Sequence, residues 1–129
     1  MNAVDQTEAF YELNPDLLEK IVENLERDGG RPERRRSPRQ KFPVQQWMAP
    51  FVRKMPKAEQ FVPVECRDLS SSGLAFYWPQ RANFAKVIIG LGRAPQLTYV
   101  AARIVRQVAC TNGGGVLVGC EFVDRVGIS

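Results

Sequence analysis

The chain contains no histidine among its 129 residues. That removes the commonest general base and the commonest nitrogen ligand for a transition metal. Cysteine is scarce as well: Cys66, Cys110 and Cys120 lie far apart and form no C-x-x-C pair. A zinc site and a Cys–His nucleophile are thereby disfavoured. No stretch approaches the ~18 consecutive apolar residues of a membrane span. The N-terminus lacks the basic-then-apolar layout of a secretory signal. Paired catalytic carboxylates and a phosphate-binding P-loop are missing too, so no reaction suggests itself. The expectation is a soluble, cytoplasmic protein with reduced thiols, no cofactor and no enzymatic activity.

Hydrophobic residues make up 44% and charged residues 25% of the chain, ordinary values for a globular protein. Charge is distributed unevenly. Residues 1–30 carry eight acidic and two basic side chains, whereas 31–129 carry sixteen basic and six acidic. A body with that excess attracts phosphates, nucleotides or nucleic acid, or docks its own acidic leader.

The leader, residues 1–30, reads as a helical extension. Asn14 is a good N-cap, Pro15 suits the first helical position, and Asp16 complements the dipole there. Leu13 and Leu18 are placed to form a hydrophobic staple. Leu17, Leu18, Ile21, Val22 and Leu25 fall on one stripe, and Gly29-Gly30 ends the helix. So short a helix is marginal alone in water and must bury that stripe. Its own barrel is the favoured partner, a second copy of the chain the alternative.

From Phe42 onward the period becomes strand-like. Strands are expected over 42–44 and 46–52, where prolines suggest an edge or bulge. Further strands are expected over 61–67, with Val62, Val64 and Cys66 on one face, and over 74–78 and 84–91. A run over 97–108 has Val100, Ala102, Ile104 and Val108 on one side, and 116–123 closes the chain. Thr111 to Gly115 signals a hairpin, and Arg53 to Lys57 a loop. With no helix expected after residue 30, residues 42–129 describe a mainly β fold, a small six-stranded antiparallel barrel.

Two places combine suggestive chemistry. The segment 31–41 contains Arg34, Arg35, Arg36 and Arg39 around Ser37-Pro38. Pro38 keeps Ser37 out of the helical region, so the arginines should splay along an extended chain. Guanidinium groups grip phosphates and stack on flat rings. The other place is the turn Asp68-Leu69-Ser70-Ser71-Ser72-Gly73. Asp and Ser favour turns in their own right, and Gly73 can supply a positive φ. A carboxylate also matches the two adjacent donors on the Watson–Crick edge of guanine. Ser70 could bond the same base or a phosphate, and Gly73 lets the backbone approach closely.

The pair Arg35-x-x-x-Arg39 and Asp68-x-Ser70-x-x-Gly73, in that order on a small barrel, resembles the PilZ domain, the bacterial receptor module for cyclic di-GMP. Leu74-Ala75-Phe76, Val118-Gly119-Cys120-Glu121-Phe122, and Arg34 beside Arg35 add to the resemblance, which covers roughly residues 33–124. It implies that 31–41 is a ligand-gripping switch. Arg35 and Arg39 would clasp phosphates and stack on guanine, Asp68 and Ser70 would read a guanine edge, and Gly73 would shape the turn. Arg34 would favour an intercalated pair of ligands over one. Many PilZ domains finish with a helix after the last strand, whereas this sequence runs to Ser129, and the leader helix is expected to cover that surface. The stretch from Arg39 to Asp68 is also somewhat long. Any output is expected to pass to a separate protein partner, with the Leu17/Ile21/Leu25 stripe exposed or buried on binding. Two other readings stand beside this one: a PilZ-like interaction barrel that binds no nucleotide, and a small nucleic-acid-binding barrel stacking bases on Trp47, Phe76, Tyr77 and Trp78. Those aromatics suit core or rim better.

Overall fold

The computed structural model describes residues 13–27, 38–111 and 113–127. Helix α1 (Pro15–Arg27) leads into seven strands: β1 (Gln40–Lys41), β2 (Gln45–Phe51), β3 (Val62–Leu69), β4 (Gly73–Trp78), β5 (Lys86–Arg93), β6 (Gln96–Ala109) and β7 (Val116–Val126). The strands are ordered β1-β3-β2-β5-β6-β7-β4, and a further β3–β4 pairing closes β2 to β7 into a six-stranded antiparallel barrel. Closure leaves these strands no free sheet edge. The two residues of β1 form an adjunct on β3. A single 3-10 turn, Ala58–Gln60, interrupts the loop between β2 and β3; it is a helical element that the strand-like pattern after residue 30 did not anticipate.

The helix start follows the sequence closely. The Asn14 Oδ1 accepts a hydrogen bond from the Asp16 amide at 2.8 Å, and Leu18 N–H donates to the Asn14 carbonyl at 3.1 Å. Ile21 and Leu25 are buried in the same cluster as Met48, Val64, Phe76, Ile89 and Phe122, with Leu13, Leu17 and Leu18 packed against it. The helix therefore docks on its own barrel, where it contacts β7. Burying each such side chain stabilises by roughly 1.5–3 kcal/mol, which supplies what an isolated helix of this length lacks. The expected glycine stop at Gly29-Gly30 lies outside the described residues.

Register, set by bulges, decides which side chains face outward. Along β6, Val100, Ala102 and Ile104 point inward as the alternation demands. Ile104 then pairs with Cys120 of β7 and Arg106 with the next residue, Gly119, leaving Val105 as the extra residue of a bulge. The bulge reverses the parity, so Val108 is exposed and not on the inner side, contrary to the simple alternation. Gln107 is the residue that turns toward the Ala82 backbone. Its side-chain amide accepts from Ala82 N–H at 2.7 Å and donates to the Ala82 carbonyl at 3.2 Å. Buried Gln46 does the same to Gly92, accepting from its N–H at 2.7 Å and donating to its carbonyl at 3.1 Å.

Strand β3 departs from the alternation in two ways. Val62 at its start is exposed, although Val64 and Cys66 face the core. A bulge then falls between Cys66, paired with Phe76, and Asp68, paired with Ala75. Pro50 in β2 does not mark an edge strand, since β2 pairs with both β3 and β5. Pro50 is tolerated because the pairing with β3 ends at Met48, so on that side its missing N–H leaves no ladder bond unmade.

Candidate functional site

The Asp68–Gly73 segment is a tight β3–β4 turn whose hydroxyls hold it together. Ser70 N–H donates to the Gly73 carbonyl at 2.9 Å. The Ser70 Oγ accepts from the amides of Ser72 and Gly73, each at 3.2 Å. Ser70 is 1% exposed, so its oxygen serves the turn from inside and does not stand on the surface. Gly73 is required for a reason different from the one its position in the turn suggested. Its φ is not positive. A Cβ there would collide with the backbone carbonyl oxygen of Cys120 on β7.

The β3 bulge turns Asp68 outward. Ala75, its partner, lies between the fully buried Leu74 and Phe76 and so faces the barrel exterior; Asp68 shares that face. One carboxylate oxygen accepts from Arg39 Nη1 at 2.7 Å and the other from Arg67 Nε at 2.8 Å. Both guanidinium groups remain more than half exposed while the carboxylate is 12% exposed. Strand β1 puts Arg39 in place: Gln40 and Lys41 pair with Leu69 and Asp68, and Phe42 N–H donates to the Arg67 carbonyl at 3.0 Å. Among the described residues, Asp68 is thus the single carboxylate in a patch that also contains Arg39, Lys41 and Arg67.

Of the site residues expected from sequence, Arg39, Asp68, Ser70 and Gly73 come together here. Arg34, Arg35 and Arg36 lie outside the described residues. Arg67 was not anticipated: its sequence signal is only a basic neighbour of Asp68, and it takes the bulge to bring the two side chains into contact. The surface holding Pro38, Gln40 and Ser71 faces the first turns of α1 across a crevice of about 230 Å³, lined on the helix by Asn14, Asp16, Leu17 and Lys20. The opposite side of the same helical turns, Leu13, Pro15 and Leu18, borders a larger apolar cleft of about 660 Å³ with Phe42, Trp47 and Gly92.

Of the remaining candidates, Cys66, Cys120 and Phe76 belong to the core, whereas Tyr77 is exposed. Burial pushes the Cys120 thiol up to about 12, an effect that nearby Arg39 offsets only in part, and burial raises Cys66 as well. Neutral buried thiols are packing residues, and Cys120 donates to the Leu74 carbonyl at 3.3 Å. Phe76 is fully buried and Trp78 meets Phe84 edge-on with ring centroids 5.8 Å apart, so neither is an open stacking platform. Among the described residues no group of three potential metal ligands occurs, and no helix is long and apolar enough to cross a membrane.

No curated protein and no solved structure gives a match to this chain. Compared with known families, residues 33–127 match the PilZ domain, a span that takes in the whole barrel, the basic segment and the Asp68 turn. With this architecture and this coverage, the chain belongs to the PilZ domain family.

Proposed function

We propose that this PilZ domain is a cyclic di-GMP receptor without catalytic activity, which passes its signal to a separate protein. The observation that carries the proposal is the Arg39–Asp68–Arg67 cluster on the barrel exterior. It sits where the basic segment meets the Asp68–Gly73 turn. A carboxylate and several guanidiniums are the two chemistries that a guanine edge and a phosphodiester need. Binding is an exchange: Asp68 turns from Arg39 to the N1–H and N2–H₂ of guanine, and Arg39, with Arg34 and Arg35, turns to phosphate and base. Ser70 and Gly73 hold the turn in which Asp68 is presented. The crevice between α1 and Pro38–Gln40 supports a relay in which reordering of the basic segment shifts the helix. The apolar cleft on the far side of the same turns is a suitable place for that shift to be felt by a partner.

Titration calorimetry with cyclic di-GMP tests this reading and reports ligand number together with affinity. Wild type should bind at micromolar ligand or below, and Arg35→Ala and Asp68→Ala should each weaken binding by roughly tenfold or more, the scale of a lost charge-assisted hydrogen bond. No heat with wild type, or unchanged binding by both variants, refutes it.

A further inference from the structure

Strand direction alternates along the chain, so the loops joining β2 to β3, β4 to β5 and β6 to β7 gather at one end of the barrel. Val62 opens β3 at this end and Asp68 lies near the other end of the same strand. At about 3.3 Å per residue the two are roughly 20 Å apart. The first turns of α1 stand beside Pro38, Gln40 and Ser71, away from these loops. Large apolar side chains collect here. Seven are exposed among the described residues, and five of them belong to this end: Val52, Met55, Val62, Tyr77 and Val108. Val52 is the most open, at 71%. Tyr77 and Val108 both pair with Leu117, which makes one apolar row across β4, β7 and β6.

The same end is basic. The loops over 52–61 and 79–85, with Lys86 at the start of β5, contain Arg53, Lys54, Lys57, Arg81 and Lys86 against one acid, Glu59. All five cations are exposed, and no ion pair among the described residues engages them. The β2–β3 loop is held in shape. Pro56 is buried, and Lys57 N–H donates to the Gln60 side-chain oxygen at 2.7 Å beside the 3-10 turn. Val52 and Met55 are therefore kept exposed with Arg53 and Lys54 between them, an arrangement that the core does not require.

We propose that this end of the barrel is a docking surface for an anionic lipid bilayer. An interfacial site needs apolar side chains that enter the acyl boundary and cations that meet the headgroups, and both occur on these loops. Tyrosine suits the headgroup level, with its apolar ring and polar tip. A bilayer is fluid and accepts scattered apolar tips, whereas a protein partner requires a matched surface. The two clefts described above lie away from this end. Nucleic acid would use the cations but gain nothing from Val52 or Met55. Docking of this kind does not depend on cyclic di-GMP. It holds the Asp68 face and the first turns of α1 away from the lipid, open to solution.

Cosedimentation of the full chain with vesicles tests this, using phosphatidylcholine alone and phosphatidylcholine mixed with phosphatidylserine, at low salt and without nucleotide. Wild type should bind the mixed vesicles and leave the phosphatidylcholine ones in suspension. A basic side chain near an anionic surface strengthens binding by roughly fivefold, so the charge reversal Arg53→Glu should weaken it by roughly tenfold or more. Val52→Ser should weaken it severalfold, because less apolar area enters the interface. Arg125→Glu makes the same charge change at an exposed position near the far end of β7 and should bind nearly as wild type does. Failure of wild type to bind the mixed vesicles overturns the proposal. So does a loss with Arg125→Glu equal to that with Arg53→Glu, which would mean that net charge alone is read. Binding to polyglutamate as tight as to vesicles, with no effect of Val52→Ser on either, overturns the lipid assignment in favour of a soluble acidic partner.

Discussion

Replacing Gly73 by alanine separates a fold requirement from a ligand requirement. A Cβ at this position would overlap the Cys120 carbonyl oxygen, which belongs to the backbone of β7 and cannot rotate away. Gly73 pairs with Glu121 and Leu74 with Cys120, so relief requires the first rungs of the β4–β7 ladder to separate. Forcing an extra carbon into a packed site costs about 1–3 kcal/mol. Glycine-to-alanine exchange returns about 0.4–1 kcal/mol by reducing the freedom of the unfolded chain. The net expectation for Gly73→Ala is a loss of about 1–2 kcal/mol. Gly119→Ala is the internal control: among the described residues its Cβ meets only Arg106 Cβ at an ordinary 3.6 Å, so the unfolded-state term dominates and stability should hold or rise slightly. Urea denaturation followed by tryptophan fluorescence measures both, with the midpoint moving and the slope unchanged if only stability is altered. A Gly73→Ala protein as stable as wild type that nevertheless failed to bind ligand would refute the argument. It would mean that the glycine exists for the approach of the ligand.

Two other expectations follow from the core. Ile21→Ala removes a fully buried side chain of α1 and should cost about 2–5 kcal/mol; a change of under about 0.5 kcal/mol in the same urea assay would mean that the helix does not contribute to the fold. The buried thiols predict a pH dependence. Cys120 is pushed up to about 12, so its neutral form is favoured in the folded state. The stabilisation is complete below the ordinary thiol value of about 8.5 and is lost as pH rises toward the folded value. Replacing Cys120 by alanine should flatten the fall in stability between those limits, and an unchanged slope against pH would count against the assignment. In wild type at neutral pH, alkylating reagents should reach half-buried Cys110 well before Cys66 or Cys120.

Much of the fold was legible because its signals are local. The Asn14 cap, the apolar stripe of α1, the glycine-rich β6–β7 hairpin and six alternating runs all follow from short-range preferences. One misplaced face traces to a bulge. Val108 obeys the alternation until the extra residue at Val105 reverses it, and no single-residue preference announces that insertion. The candidate site divides in the same way. Arg39, Asp68, Ser70 and Gly73 were visible as a spaced pattern, but their division of labour was not: Ser70 and Gly73 serve the turn, while Asp68 faces out. Arg67 was invisible because it acquires its position from a register shift, which is a property of two strands and not of one.

The two glutamines that clasp backbone segments have a consequence for how the molecule responds to ionic strength. Gln46 and Gln107 hold Gly92 and Ala82 through neutral amides, each imitating one rung of a sheet. Such bonds carry no net charge for counterions to screen. The contacts of Asp68 with Arg39 and Arg67 are between full charges whose guanidinium ends stand in solvent, and at 1 M salt the screening length falls to about 3 Å. Raising salt therefore slackens the binding face selectively while the frame beneath it keeps its shape, so that affinity for an anionic ligand and stability of the barrel respond independently to the same variable.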